Sequence, residues 1–312
     1  MSGRVESGLG EDLQLVRSGD AGRAEAWLWW SRVPELAGEK LGLIGRFSAD
    51  SAAAAAEILG AAEAALRQHG CTRAVGPMDG STWRAYRWVT EPGREPPFQL
   101  EPNQPATWPK WWQETGYTAL AEYYSTATDD LTIRDQRLDA VARRMKAARV
   151  TIRPLNPTAF EAELGRIYDV SVVSFQDAFL YTPLPLPDFV AQYRAVQERV
   201  RPEIVLLAEQ GDRPVGYVFA LPDYAQAQRG EKVNSIIVKT LAVRPGRTWA
   251  GLGALLLGEV HAAAYSLGYT RAIHALMHET NTSRALSAHY ARTIRRYTLF
   301  SKPLWSAAGG ML

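Results

Sequence analysis

The chain has 312 residues, a formal net charge of +2 at pH 7 and one cysteine, Cys71. This length suits two domains that each bury a core, and the small net charge argues against nucleic acid as the main partner. A single cysteine excludes a disulfide framework and a cysteine-rich metal site.

The composition also bears on location. No apolar run approaches the roughly 20 residues that cross a bilayer, and the first twelve residues have no apolar core of the signal-peptide type. We therefore predict a soluble cytoplasmic protein that does not contact a membrane and exists as a monomer or homodimer.

The first half begins with a polar segment and then alternates strands with a helix. Strand-like runs cover residues 13–17, 26–30 and 41–47. Asp50-Ser51 is typical of an N-cap for an alanine-rich helix that runs through Leu66 and that Gly70 ends.

Aromatic residues dominate the stretch that follows. Eight of the ten tryptophans precede residue 113, and most are expected to lie in the core. Trp83, Tyr86 and Trp88 are expected beyond the end of a strand, where a site could lie.

A charged helix within residues 129–149 is expected to end the first domain. Its Arg and Lys residues are typical of a solvated helix face, and an acidic partner is the alternative. Residues 150–154 then predict an opening strand. The predicted domains are therefore residues 1–148 and 149–312.

The second half predicts helices over residues 160–175 and 188–199, with a proline-rich ordered loop between them. Residues 204–209 and 214–221 form two apolar runs around a Gly-Asp turn, which predicts a β-hairpin. A final strand is expected over residues 296–300.

A strand, a glycine-containing loop and a helix follow the hairpin. Ile236 to Val243 is an apolar, β-branched run that Pro245 and Gly246 end. Apolar residues at helical spacing then run to Leu267, and Gly268 is suited to stop the helix. The first turn of a helix binds anions because its N–H groups are unpaired, and glycine lets a phosphate approach.

Two phosphate-binding motifs fail at this loop. A P-loop requires Lys and then Ser or Thr after its last glycine, where Ala254 and Leu255 stand, and a dinucleotide fingerprint requires a third glycine where Leu256 stands.

The chain also aligns with itself. Displaced by 198 positions, Arg46 to Val75 lies without a gap on Arg244 to Ile273. Gly-Cys-Thr-Arg-Ala-Val from Gly70 then matches Gly-Tyr-Thr-Arg-Ala-Ile from Gly268. Both segments predict strand, helix, strand. Ala53 and Ala55 lie opposite Gly251 and Gly253, so the first copy is expected to be degenerate and not to bind a coenzyme in this way.

The run from Val243 to Gly253, V-x-P-x-x-T-x-x-G-x-G, resembles the acetyl-CoA signature of the GCN5-related N-acetyltransferases. Thr248 stands where that family has Gln or Arg, and Arg247 is a candidate for the missing charge. The resemblance implies an α/β (α+β) fold of two tandem acyl-CoA N-acyltransferase domains, each a mixed, mostly antiparallel sheet flanked by helices.

The resemblance also implies the residues of the site. Asn281 and the backbone of the strand end and loop would contact acetyl-CoA, namely Leu241, Ala242, Val243, Arg247, Thr248, Trp249, Ala250, Gly251, Leu252, Gly253 and Ala254. Phe175, Gln176, Phe179 and Tyr181 would contact the acceptor, although core packing is at least as good an alternative for the two phenylalanines.

Acyl transfer requires a neutral amine, donors for the oxyanion and a proton for the departing thiolate. Tyr290 is the candidate acid by resemblance, with His289 as a rival for that position. Glu231 and His278 are the candidate bases, and Glu279 lies beside the latter. His274 and His278 are four apart, but their strand context argues against a metal site.

Two classes of function remain. The first is an acetyl-CoA-dependent N-acetyltransferase that acts on the amine of a small molecule or an amino acid. The second is a non-catalytic acyl-CoA-binding or sensing protein. A hydrolase is disfavoured because no G-x-S-x-G elbow is present.

Overall fold

The computed structural model describes residues 12–133, 135–194, 196–279 and 291–305. The first half contains six strands and three helices: β1 (Leu13–Gly19), β2 (Gly22–Trp29), β3 (Leu41–Ala49), α1 (Ala52–Gln68), β4 (Arg73–Gly76), β5 (Trp88–Glu91), α2 (Thr107–Glu114), β6 (Thr118–Thr128) and α3 (Arg137–Ala147).

The second half contains β7 (Val150–Pro154), α4 (Phe160–Ser174), α5 (Leu186–Arg194), β8 (Val205–Gln210), β9 (Arg213–Pro222), α6 (Tyr224–Gln228), β10 (Ser235–Val243), α7 (Leu252–Ser266), β11 (Arg271–His278) and β12 (Arg292–Pro303). The predicted opening strand, helix 160–175, hairpin and strand–loop–helix are therefore confirmed. None of the helices in the described ranges is long and apolar enough to cross a bilayer.

All of these strands belong to one sheet in the order β1-β2-β3-β4-β12-β6-β11-β10-β9-β8-β7, with β5 paired to β12. Of the strand pairs described, only β3–β4 and β10–β11 are parallel. The mixed, mostly antiparallel architecture predicted from the sequence is thus confirmed, but the two halves build one continuous sheet instead of two.

The sheet is continuous because the halves share their last strands. β6, from the first half, pairs with β11 of the second half. β12, from the second half, pairs with β4 and β5 of the first. β6 and β12 also pair with each other along most of their length. The predicted boundary at residues 148 and 149 falls just before β7, so it divides the chain without dividing the sheet.

The internal repeat consists of β3–α1–β4 and β10–α7–β11. Leu41 pairs with Arg73 and Ser235 pairs with Arg271, so the partners are 32 residues apart in the first copy and 36 in the second. The helices and second strands match at the displacement of 198, whereas the first strands are offset by four residues. The two copies differ in the connection between the first strand and the helix. Residues 50 and 51 form this connection in the first copy, and residues 244–251 form it in the second.

Aromatic side chains fill the core of the first half. Trp112 is fully buried, and its ring centroid lies 5.4 Å from that of Phe47, 5.0 Å from that of Trp88 and 4.6 Å from that of Tyr117. Of the eight early tryptophans, four are buried in the core, namely Trp27, Trp29, Trp88 and Trp112, and the other four are half-buried.

Candidate functional site

Strands β10 and β11 begin side by side and then separate. They pair in parallel only as far as Val238 and His274. Beyond a β-bulge that follows Val238, β10 stays paired with β9 as far as Val243, while β11 continues along β6. A gap, here called the wedge, therefore opens between residues 239–243 and residues 275–278.

The wedge leaves one edge of β10 without a described partner strand. In an antiparallel pair, alternate residues direct their N–H and C=O groups away from the partner. Alternate main-chain groups of residues 239–243 therefore face the wedge. Leu241 and Ala242 lie in this segment, and backbone groups here can bind a ligand.

The loop of residues 244–251, here called the glycine loop, leads from β10 to α7. Gly246 has φ of +133°, residues 247–249 form a 3-10 turn, and Gly251 is the N-cap of α7 with φ of +83°. No side chain caps this helix end. The N–H groups of Leu252, Gly253 and Ala254 therefore point out of the helix without an intrahelical acceptor.

The exposure of the loop residues shows which parts can contact a ligand. Arg247, Thr248 and Ala250 are exposed, whereas Trp249 and Leu252 are buried in the core of the second half. The side chains of those two residues thus hold the loop in place, and only their backbone remains for a ligand.

Helix α3 packs against the beginning of α7. This packing gives a reason for the glycine at position 251 that the sequence alone does not show. A Cβ atom on Gly251 would lie 2.9 Å from Cγ2 of Val141, and one on Gly258 would lie 2.9 Å from Cδ1 of Leu138. Gly251 is therefore required by its positive φ and by the close approach of α3. It does not serve only to uncover amides.

The same helix brings a cation to the glycine loop. The guanidinium of Arg144 donates a hydrogen bond to the Ala250 carbonyl. The sequence placed the basic residues of this helix on a solvated face and missed this contact, because no local pattern shows that α3 returns to α7. Thr248 stands where a long Gln or Arg side chain is usual. Arg144 and Arg247 both lie near this position and are the candidates to supply the missing charge.

The equivalent place in the first copy is closed by its own side chains. Ser51 caps α1 by accepting a hydrogen bond from Ala54 N at 3.0 Å. The carboxylate of Asp79 accepts the N–H of Arg46, at the irregular position of β3, at 2.8 Å. The two kinds of backbone donor that are open in the second copy are therefore occupied in the first.

Glu231 is far from the glycine loop. It precedes the first residue of β10, whereas the glycine loop follows the last, roughly 25 Å away at about 3.3 Å per residue. Its exposed carboxylate accepts hydrogen bonds from Arg229 at 2.9 and 3.0 Å, and the Arg229 hydrogen bond lowers the pKa of Glu231. The structure therefore does not bring Glu231 together with the glycine loop, and its role as the base stays a prediction.

His278 lies at the wedge, at the end of β11. Its ring meets that of Tyr123 edge to face, with 4.9 Å between centroids, and lies 5.6 Å from the ring of Phe179. Burial, followed by the charge of Arg87, lowers the pKa of His278 below its usual value. The imidazole is therefore neutral at pH 7 and able to accept a proton.

Two other candidates from the sequence, Asn281 and Tyr290, lie outside the described residues, as does His289. Their assignments stay predictions.

The loop between α4 and α5 links the two halves on the other side of the wedge. Phe175 is half-buried against the core and Gln176 is exposed. The ring of Tyr181 lies 5.9 Å from that of Trp83, and Trp83 Nε1 donates to the Thr182 carbonyl at 2.8 Å. The first half thus forms part of the wall next to the predicted acceptor residues.

A buried pair of histidines lies behind the wedge. His261 of α7 and His274 of β11 are each 4% exposed, and their Nε2 atoms are 3.1 Å apart. Burial lowers the pKa of His261 to about 4, and burial with the neighbouring His261 lowers the pKa of His274 to about 3. The described residues contain no group of three or more side chains that could hold a metal ion.

The histidine pair is expected to make the protein sensitive to acid. Unfolded histidines titrate near pH 6.5, above the folded values, so the unfolded chain binds more protons below that pH. This part of the stability is complete above about pH 6.5 and is lost as the pH falls towards the folded pKa values. We expect about 2 kcal/mol of unfolding free energy to be lost per histidine between pH 7 and pH 5, measured by urea unfolding.

The matched variants for this experiment are His261→Gln with His274→Gln, which removes both titrating groups, and His69→Gln, which removes an exposed one. The double variant should flatten the pH dependence and His69→Gln should leave it unchanged. An equally steep dependence in the double variant would show that other groups cause it.

Comparison with known proteins supports the fold. No protein-family model matches the chain, and no curated protein sequence matches it. Among solved structures, it is similar to the GCN5-related glucosamine N-acetyltransferase region of a fungal multi-domain GH3 β-N-acetylglucosaminidase, with a TM-score of 0.53, 14% identity and coverage of 89% of this chain. The chain spans only 31% of that protein's length.

A second similar structure is a GCN5-related N-acetyltransferase from Sphaerobacter thermophilus, with a TM-score of 0.51 and 15% identity. The match covers 95% of this chain and 83% of that one. The match therefore extends over both halves of this chain. The chain therefore has the fold of the GCN5-related N-acetyltransferases, with its strand–helix–strand core present twice.

Proposed function

We propose that the protein is an acetyl-CoA-dependent N-acetyltransferase that transfers an acyl group to the amine of a small molecule or an amino acid, by direct attack in a ternary complex. The contrast between the two copies carries this proposal. The second copy keeps an uncapped helix end beside an unpaired strand edge, whereas Ser51 and Asp79 occupy the matching donors of the first. One copy is thus suited to a coenzyme and the other to a structural role.

The residues of the second copy fit coenzyme A. The N–H groups of Leu252, Gly253 and Ala254 suit a diphosphate at a helix N-terminus, and Arg144 and Arg247 add positive charge beside it. Leu241 and Ala242 would bind the pantetheine arm along the open edge of β10. When bound, acetyl-CoA would supply the activated acyl thioester.

The wedge also suits the chemistry of acyl transfer. A main-chain N–H of β10 that faces the wedge can stabilise an oxyanion. Neutral His278 can take the proton that the amine loses as it attacks. Tyr290 is proposed to give a proton to the departing thiolate, and Tyr181 and Trp83 to form the acceptor wall.

The direct test is release of free thiol from acetyl-CoA in the presence of a panel of amines, with mass spectrometry of the products. The panel should contain amino acids, simple amines and glucosamine, because a similar structure is described as a glucosamine N-acetyltransferase region. Turnover with at least one amine is expected. Coenzyme binding without turnover on any amine would favour the alternative, an acyl-CoA sensor.

The coenzyme site has its own test at Thr248, which is exposed in the glycine loop. Thr248→Glu should weaken coenzyme A binding by roughly tenfold or more, because a carboxylate about 8 Å from a phosphate at an effective dielectric constant near 20 costs about 2 kcal/mol. Thr248→Gln, of equal size and no charge, should bind at least as well as the natural protein. Calorimetric titration measures both.

Ala53→Glu is the matched control in the first copy, because Ala53 is exposed in the first turn of α1. It should leave coenzyme affinity unchanged. Loss of affinity in Ala53→Glu, with none in Thr248→Glu, would place the coenzyme in the wrong copy for this proposal.

A further inference from the structure

Among the described residues, no carboxylate pairs with the buried cation Arg87. Arg87 is only 7% exposed. Its Nε and Nη1 atoms have no hydrogen-bond partner among the described residues. Buried polar groups are nearly always hydrogen-bonded in proteins, and a buried charge is costly unless it is paired. An acceptor for this guanidinium is therefore missing from the described part of the chain.

Two tyrosines hold the guanidinium. Its carbon lies 3.9 Å from the ring centroid of Tyr86 and 4.3 Å from that of Tyr123. Cation–π contacts of this kind contribute about 2 kcal/mol or more each when they are desolvated, but they supply no anion. The N–H groups of Nε and Nη1 have no partner among the described residues and are left for an anion.

Arg87 lines a cavity of about 300 Å³ in which positive charge prevails. Arg46 and Arg84 also line it. The acidic residues on its wall have other partners: Asp79 accepts the N–H of Arg46, and Glu101 binds Arg295 at 2.6 Å and the hydroxyl of Tyr297 at 2.7 Å.

The cavity adjoins the wedge. Leu276 of β11 lines it, two residues before His278. The ring of Tyr123 contacts both the Arg87 guanidinium and the ring of His278. A small molecule in the cavity could therefore extend from Arg87 towards the proposed base.

We propose that this cavity binds a carboxylate through Arg87, and that the carboxylate belongs to the amine acceptor. This inference rests on the proposed function and narrows it to amines that carry a carboxyl group, such as amino acids. The guanidinium has the planar fork of donors that matches a carboxylate. A phosphate dianion is disfavoured because Asp79 and Glu101 lie on the same wall.

The experiment compares matched acceptors that differ in the carboxyl group, each amino acid against its amide and its decarboxylated amine. In the natural protein, kcat/KM should be at least tenfold higher for the acceptor with the carboxylate. In Arg87→Met this preference should disappear, mainly through a higher KM. Arg17→Met, at an exposed position of β1, is the control and should keep the preference.

Binding is measured separately, so that failure of this inference and failure of the proposed function can be distinguished. The preferred amino acid should raise the melting temperature of the natural protein and of Arg17→Met, but not of Arg87→Met. If the carboxylate raises the melting temperature only when Arg87 is present, and no turnover occurs, carboxylate binding in the cavity would be supported and the transferase activity refuted. Turnover without a carboxylate preference, or a preference that survives in Arg87→Met, would overturn this inference and leave the transferase standing.

Loss of the fold would not explain the expected result. A buried charge without an ionic partner has a desolvation cost, which an apolar side chain of similar length removes. Arg87→Met should therefore melt, without ligand, at or above the temperature of the natural protein. A lower melting temperature would instead mean that the guanidinium stabilises the fold, contrary to the proposal.

Discussion

Residues 149–312 expressed alone are expected not to fold, although the sequence divides into two copies at this point. β12 pairs with β4, β5 and β6, all of which belong to residues 1–148. β11 pairs with β6 beyond the end of its pairing with β10. Separation thus removes every described partner strand of β12, one partner of β11, and both partners of β6.

The loss should exceed the roughly 5–15 kcal/mol that keeps a typical domain folded. Unpaired strand edges in both fragments also favour aggregation. Circular dichroism and thermal melting of each half would measure this, and co-expression of the halves should restore a soluble complex. A cooperative melting transition of residues 149–312 alone, at the temperature of the whole chain, would contradict the shared-strand arrangement.

The largest effect on activity is expected at His278. If its neutral imidazole takes the proton from the amine, His278→Asn should lower kcat by about 100- to 10,000-fold, the range usual for general base catalysis. Affinity for coenzyme A should change little, because the glycine loop lies on the other side of the wedge. Steady-state kinetics and calorimetry measure the two effects separately.

The pH profile gives a second readout for His278. Burial and the Arg87 charge lower the pKa of His278, so the base stays deprotonated at pH values where an ordinary histidine near 6.5 would be half protonated. The rate of the natural protein should fall with an apparent midpoint below 6.5 as the pH decreases. His261→Gln is a useful companion, because it removes a buried histidine outside the wedge. If His261→Gln lost as much activity as His278→Asn, the loss in His278→Asn would not be evidence that His278 is the general base.

Local patterns predicted the parts of the fold that local forces determine. The strand that ends at Val243, the glycine loop and α7 were all predicted from apolar spacing and glycine positions, as was the hairpin of β8 and β9. β6 was missed. Most of its second half is buried on both faces, so it lacks the alternation that marks a strand with one wet face.

The sharing of strands was beyond such patterns. β6 and β12 meet across more than 150 residues of sequence, from Ala127 opposite Arg292 to Thr118 opposite Ser301. Nothing in either segment specifies the distant partner. The gapless alignment of the repeat likewise hid the four-residue offset of β3 and β10, since only strand pairing reveals it.

The site was predicted unevenly for the same reason. The spacing of residues in the sequence predicted the glycine loop. It did not predict that Gly251 is also required by the packing of Val141, because that contact is long-range. Arg87 was missed because charged residues in a sequence are usually solvated, and only its burial shows otherwise. Arg144 was missed because its hydrogen bond to the Ala250 carbonyl joins residues that are far apart in the sequence. Proximity in sequence to β10 does not say which end of the strand a residue is near, and the structure places Glu231 before the strand and the glycine loop after it.

The most direct test of the account is a crystal structure of the protein with acetyl-CoA bound. We predict that the diphosphate will lie within hydrogen-bonding distance of the N–H groups of Leu252, Gly253 and Ala254, with the pantetheine along residues 239–243. Density for the coenzyme at Ala53 and Ala55 in the first copy, or no binding in solution at millimolar acetyl-CoA, would contradict it.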